Sequence, residues 1–427
     1  MRSVQLRSIV EPRLAAAGAL LATLLVCARP ALAALPPVPA PVENPLTEPK
    51  RVLGKMLFWE EQLSSDGSIA CGTCHRPAQG GADPRVGRNP GVDKGTIDDV
   101  LGSPGIVRLD RNGRTEPSPQ FGDGPQVTPR AAPSNFGALW AQDLFWDGRA
   151  RSQVTDPLTG ATAIARGGAL ENQALTALVA PGEMAKRDRS WADVTTTIER
   201  ARPLALATDL PKDVEAARGA RPTYPALFEA AFGDARITPI RVAFAIATYE
   251  RTLVSDQTPW DRYAAGDSSA IVGRALYGWQ ALQAFHCTAC HTPPQFTNNE
   301  FFEIGVRRAA LDLGRELVTH DAGDAGDMKV PTLRNAALLP RFMHTGEFGN
   351  LGAAIAFYIN APALPERDGI PGFGLYTFNM SQIDVADIRE FIEHALVDPR
   401  VRDETFPFDR PTLRSERSDR SPRAREH

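Results

Sequence analysis

Two pentads decide how this chain is read: Cys71-Gly72-Thr73-Cys74-His75 and Cys287-Thr288-Ala289-Cys290-His291. In each, two thiols stand three positions apart and a histidine follows at once. Thiols so spaced can add to the two vinyl groups of one haem, and the adjoining His then reaches the iron. Three other uses of four cysteines compete with this: a zinc site made by all four thiolates, two local disulfides, or a thioredoxin-like redox pair. Zinc does not require a His directly after each second Cys, and a redox pair would not occur twice. The pattern therefore predicts two covalently bound c-type haems. Cys71, Cys74, Cys287 and Cys290 are the attachment points, and His75 and His291 are the axial ligands.

Composition narrows the class around these motifs. The chain has 427 residues, with 47 Lys+Arg against 51 Asp+Glu, a formal charge of −4. That length suits about two domains. Hydrophobic residues at 43% and charged residues at 23% exclude a wholly disordered or fibrous chain. The near-neutral balance carries no electrostatic footprint for nucleic acid.

Residues 1–33 read as an export signal. Arg2, Arg7 and Arg13 precede the apolar run Leu14 to Val26, and Ala31-Leu32-Ala33 supplies small residues for cleavage. The run is short for a spanning helix, which needs about 20 residues. Cys27 would leave with the signal. The expected product is a periplasmic protein, free of the membrane after cleavage.

Residues 34–50 form a Pro-rich lead-in, and 76–134 are rich in Gly, Pro, Asp and Arg, a long loop of the kind that carries function. Thr238-Pro239 opens a helix, with Val242, Ile246, Tyr249 and Leu253 on one face. A second helix starts near Ser381–Asp384 and turns Val385, Ile388, Ile392 and Leu396 inward. No alternating strand pattern stands out. The expected fold is mainly α with long irregular loops: two cytochrome c-like domains, each holding one haem, over 34–255 and 256–405. The Arg-rich residues 406–427 are expected to form a disordered, solvated tail.

Cys71 and Cys287 lie 216 positions apart, which allots one haem to each domain. No His lies between His75 and His286, and Met184 is the only Met between Met56 and Met328. The first iron thus lacks a local His on its opposite face, and an open site follows unless a distant Met, Lys or His427 closes it. An open ferric haem binds peroxide or small anions.

Several further segments occur in an order that resembles the bacterial di-haem cytochrome c peroxidases and their MauG-type relatives. They are Leu57-Phe58 through Leu63-Ser64, Phe145-Trp146-Asp147-Gly148-Arg149-Ala150, Leu170-Glu171-Asn172-Gln173 with Glu183-Met184, Pro259-Trp260-Asp261-Arg262-Tyr263, Val330-Pro331-Thr332-Leu333-Arg334-Asn335, and His344-Thr345-Gly346. The resemblance implies roles at matching positions. Glu183 would be the acid–base group above the first haem, Gln173 would orient peroxide, and Trp146 would relay electrons between the haems. Tyr358 falls where many of these peroxidases place a Met, and would be the second haem's other axial ligand, as in the MauG type. Met328, Met343 or Met380 is the alternative there.

The chain also departs from the family pattern. Trp146 and Gln173 are 27 positions apart, so Arg151–Ala169 reads as an insertion, and Gln153 or Glu171 could compete for the assigned roles. Ala177 stands where a Pro is common. The family's interdomain calcium site takes an Asn where Ala131 stands, after Arg130 and before Ala132-Pro133; Leu339-Pro340-Arg341 departs from the usual Thr-Ala-Pro. The run Asp321–Asp327 could bind calcium but reads more simply as a solvated turn.

The resemblance implies reduction of hydrogen peroxide to water at the first haem, with electrons passing through the second from a small cytochrome c or cupredoxin. Two alternatives stand beside it: MauG-like oxidation of a side chain on a partner protein, and a non-enzymatic electron carrier.

Overall fold

The computed structural model describes residues 34–92, 94–360 and 379–418. The export signal with Cys27, and His427, lie outside the described residues. No described helix is long and apolar enough to cross a membrane.

Helices carry most of the regular structure. The helix Glu48–Phe58 packs along Pro239–Glu250, and Gly273–Ala284 packs along Gln382–Ala395. Local chemistry fixes their starts. The Thr238 side chain accepts the Arg241 N–H, and Pro239 occupies a first-turn position where no donor is missed. Ser381 and Asp384 form a reciprocal capping box. Val242, Ile246 and Tyr249 are buried as the spacing predicts, and so are the Ala residues between them, because this helix is enclosed on nearly every side.

Among the described residues, two large hydrophobic cores result, beside a small third cluster around Leu139, Leu144 and Leu170. The first runs from Val52 to Leu253 and includes Trp59, Tyr224, Phe228 and Tyr249. The second runs from Trp260 to Leu396 around Trp260, Trp279, Phe296 and Phe391, whose rings meet mostly edge to face at 4.6–6.3 Å. The chain passes from one core to the other between Leu253 and Trp260.

The tail expected from 406 onward is corrected over its described part. Phe408 and Leu413 are fully buried in the first core together with Val401. The Arg414 amide donates to Glu61 at 2.8 Å, and Thr208 and Thr412 pair through their backbones. The chain thus returns to the first lobe after completing the second. The Arg-rich average of this segment conceals two apolar anchors, and burying them outweighs the cost of ordering the charged residues around them.

Strands also occur among the described residues, as four two-stranded antiparallel ladders: Gly87–Asn89 with Val100–Gly102, Pro104–Val107 with Pro125–Val127, Val154–Thr155 with Thr162–Ile164, and Phe301–Phe302 with Met328–Lys329. At two to four residues each they are too short to show an alternating pattern. The third hairpin lies within the apparent insertion and places Gln173 on the helix Ala169–Ala177 that follows.

Candidate active site

The helix Cys71–Cys74 presents both thiols of the first pentad, and His75 leaves it with its Nδ1 donating to the Gly81 carbonyl at 3.0 Å. That bond fixes the tautomer and leaves Nε2 free to bind a metal. Burial holds the imidazole below its ordinary pKa, so the neutral, ligating form prevails. The second pentad repeats the device, with His291 Nδ1 bonded to the Phe296 carbonyl at 3.2 Å. Burial lowers His291 as well. None of the four motif cysteines is joined in a disulfide in the structure.

Beside the first pentad lies a cavity of about 520 Å³. Cys74, His75, Trp146, Gln173, Glu183 and Glu250 all border it. Residues from positions 74 to 317 are thereby gathered around one space. Two thiols, an oriented histidine and a largely apolar hollow fit a c-type haem. Met184 does not close that space, because it packs into the first core at 2% exposure.

Glu183 is held on a tight turn: its amide donates to Ala180, and its carbonyl accepts the Ile106 amide at 3.0 Å. Desolvation raises its pKa, and Arg149 opposes the rise. A raised carboxyl can hold a proton at one moment and release it at the next, as an acid–base group must. The two competitors drop out. Gln153 is exposed on the hairpin. Glu171 is fully buried in a bidentate pair with Arg251 at 2.6 and 2.9 Å, and also accepts from Asn44.

Trp146 sits between the lobes. Its indole N–H donates to the Ala131 carbonyl at 2.8 Å, and its own carbonyl accepts the Lys329 amide at 2.8 Å. Its ring meets that of His344 edge to face at 6.2 Å. It borders both the large cavity and a smaller one of about 60 Å³ shared with Thr297, Lys329 and Pro331. Arg130 locks this region, bonding Asp147 at 2.7 Å and Asp312 in a fork at 2.6 and 2.8 Å.

The residues around Ala131 do not fit calcium. Ala131 has no side-chain oxygen, its carbonyl is taken by Trp146, and the Arg130 guanidinium already neutralises the neighbouring carboxylates. Within the run Asp321–Asp327, Asp321 caps the Gly323 amide in an exposed turn.

At the second pentad, Tyr358 lies on the helix Leu351–Asn360 and packs against the second core. Burial, then the nearby Cys287 and Cys290 thiols, hold its phenol above the ordinary range. That places the phenol beside the second motif. Met343 and Met380 also belong to this core, and Met328 is buried in a strand.

Sequence reasoning missed Glu250, the Asn135 side chain that hydrogen-bonds it, and the Arg130–Asp312 pair. Glu250 could have been noticed as an acid closing the apolar helical stretch Phe244 to Tyr249. The other two are visible only when distant segments meet.

A family model described as di-haem cytochrome c peroxidase matches residues 48–269. The chain is 31% identical over 366 residues to "Methylamine utilization protein MauG" of Methylorubrum extorquens, covering 85% of this chain and 82% of that protein. It is 28% identical to "Cytochrome-c peroxidase IdrP1" of Denitromonas iodatirespirans, over 88% of this chain and 89% of the relative. Its fold is similar to that of a crystallised MauG-like protein associated with microbial copper homeostasis, at 21% identity and a TM-score of 0.58, covering 88% of this chain and 96% of the other. The chain therefore belongs to the di-haem cytochrome c peroxidase family, a group of oxidoreductases that carries two c-type haems.

Proposed function

We propose that the chain is a periplasmic peroxidase that reduces hydrogen peroxide to water at the first motif, with electrons arriving through the second from a small redox protein. One observation carries this reading: Glu183 and Gln173 border the same cavity as His75. Cys71 and Cys74 would hold one haem covalently with His75 as ligand, and Cys287, Cys290 and His291 the other. The bound groups would supply the redox-active iron and its open position.

The chain's own residues do the rest. Gln173 offers an amide donor and acceptor that orient peroxide in the cavity. The Glu183 carboxyl takes the proton from one peroxide oxygen and returns it to the other as the O–O bond breaks. Trp146, pinned by Ala131 and Lys329, is the oxidisable ring between the lobes. Arg130 keeps the two lobes in register around it through Asp147 and Asp312.

A second reading is MauG-like oxidation of a side chain on a partner protein. Tyr358 beside the second pair of thiols favours it: bound to iron, its phenol would lose the proton and become an anionic donor that stabilises the oxidised metal. Peroxide consumption assayed with and without a reduced small cytochrome separates the two. The first reading requires donor-dependent turnover, whereas peroxide consumed only with a protein substrate would replace it by the second.

A further inference from the structure

Glu250 ends the helix Pro239–Glu250 and is 93% buried, with a relative exposure of 7%. It borders the same cavity as His75, Gln173 and Glu183. Its Oε2 has no hydrogen-bond partner. Its sequence neighbour Arg251 does not neutralise it, because that guanidinium is forked onto Glu171. A carboxylate left in this position would be a desolvated, unpaired charge, so the group is best accommodated as a neutral acid facing the cavity.

We propose that Glu250 is the second proton-carrying side chain of this cavity, the one that imports protons from solvent. The proposal rests on the peroxidase reading above, and stoichiometry gives it its purpose. Reducing one peroxide to two waters consumes two electrons and two protons. Glu183 moves a proton that peroxide already carries, so the departing oxygen leaves as water and Glu183 ends as it began. The oxygen atom left behind takes two electrons from the small redox protein and needs two protons to become the second water. Glu250 supplies them one at a time, breaking its own O–H bond as the new O–H bond forms, and is reprotonated from solvent after each.

Electrostatics supports a loaded donor. Burial raises the carboxyl to about 8; Arg251 opposes this, Glu171 adds to it, and a hydrogen bond from Asn135 opposes it. The titratable groups facing it are Glu171 and Arg251, tied to each other, the Cys71 thiol and the Tyr249 hydroxyl. Glu250 is thus protonated at neutral pH and loses its proton as pH rises through about 8.

The test uses the holoprotein with both haems, in wild type, Glu250→Gln and Glu250→Asp. Infrared spectra of the resting wild type should show a protonated carboxylic acid at neutral pH that titrates away near pH 8 and is missing from Glu250→Gln. Donor-dependent turnover should fall on the order of a hundredfold in Glu250→Gln. The first reaction with peroxide, read by stopped flow, should change less than about twofold, since that step uses Glu183. Wild-type turnover should decline above pH 8 and Glu250→Gln should lack that limb, with Glu250→Asp recovering part of the rate. A merely structural Glu250 would move none of the infrared or pH readouts. A wild type that turns over while Glu250→Gln keeps its rate and pH profile overturns the assignment of Glu250 alone. A wild type that consumes no peroxide with donor overturns the peroxidase reading beneath it.

Discussion

In the first lobe a Cβ on Gly54 would stand 1.8 Å from the Ala245 carbonyl oxygen; in the second, one on Gly278 would stand 1.9 Å from that of Asp387. Each lobe thus crosses its two main helices at a glycine, where no side chain fits. Each also turns a motif histidine by bonding its Nδ1 to a backbone carbonyl. The likeness ends beyond the histidine. His75 faces a large cavity with Glu183 and Glu250 among the carboxyls on its wall, whereas the second motif is packed close to a phenol and an aromatic cluster. The shared part is the motif with its oriented histidine; the part that differs is the space beside it, and the proposed division of labour between the motifs rests on that difference.

The sharpest way to break this contrast is at Glu183. Glu183→Gln should slow the reaction with peroxide by about a hundred- to ten-thousandfold, while both haems stay attached and their resting spectra persist. Stopped-flow mixing measures it, and a mutant reacting at the wild-type rate would remove Glu183 from the chemistry.

Next in size is the buried pair Arg251–Glu171, whose side chains are 1% and 0% exposed. Glu171→Ala strands a buried guanidinium and should cost about 3–5 kcal/mol, seen as earlier denaturant unfolding of the first lobe. Equal loss in both lobes would show that they do not melt separately.

The two glycines should behave alike. Gly54→Ala and Gly278→Ala each force helices apart at a crossing with no spare room, at about 1–3 kcal/mol apiece. A large effect in one and none in the other, by the same unfolding experiment, would end the claim of a common construction.

The smallest effect is spectroscopic. Tyr358→Phe should alter the low-spin signal of the second haem alone and leave the first haem's reaction with peroxide unchanged. A spectrum matching wild type would move the ligand to Met328, Met343 or Met380.

Much of this was legible because it is local. The pentads carry their chemistry in five consecutive residues, and the capped starts at Thr238 and Ser381 depend on side chains reaching amides three residues away. Helical burial at Val385, Ile388 and Ile392 follows from a period that the sequence displays directly. The ladders were not legible, since two to four residues cannot show alternation, and the return of Phe408 and Leu413 was hidden by the arginines around them.

The sequence by itself therefore pointed to two c-type haems, to the mainly helical character and to the family, because motif spacing and helical period are properties of neighbouring residues. Tertiary structure decided that Glu250 also faces the cavity while Glu171 does not. Glu171, Glu183 and Glu250 are all buried or half-buried carboxyls, and composition and spacing do not rank them; only the family resemblance singled out Glu183. Glu171 is neutralised because Arg251 happens to reach it across two helices, while Glu183 and Glu250 face the space beside His75 with no such partner. Charge pairing and desolvation act through space, so the chemical role of each carboxyl is set by the fold.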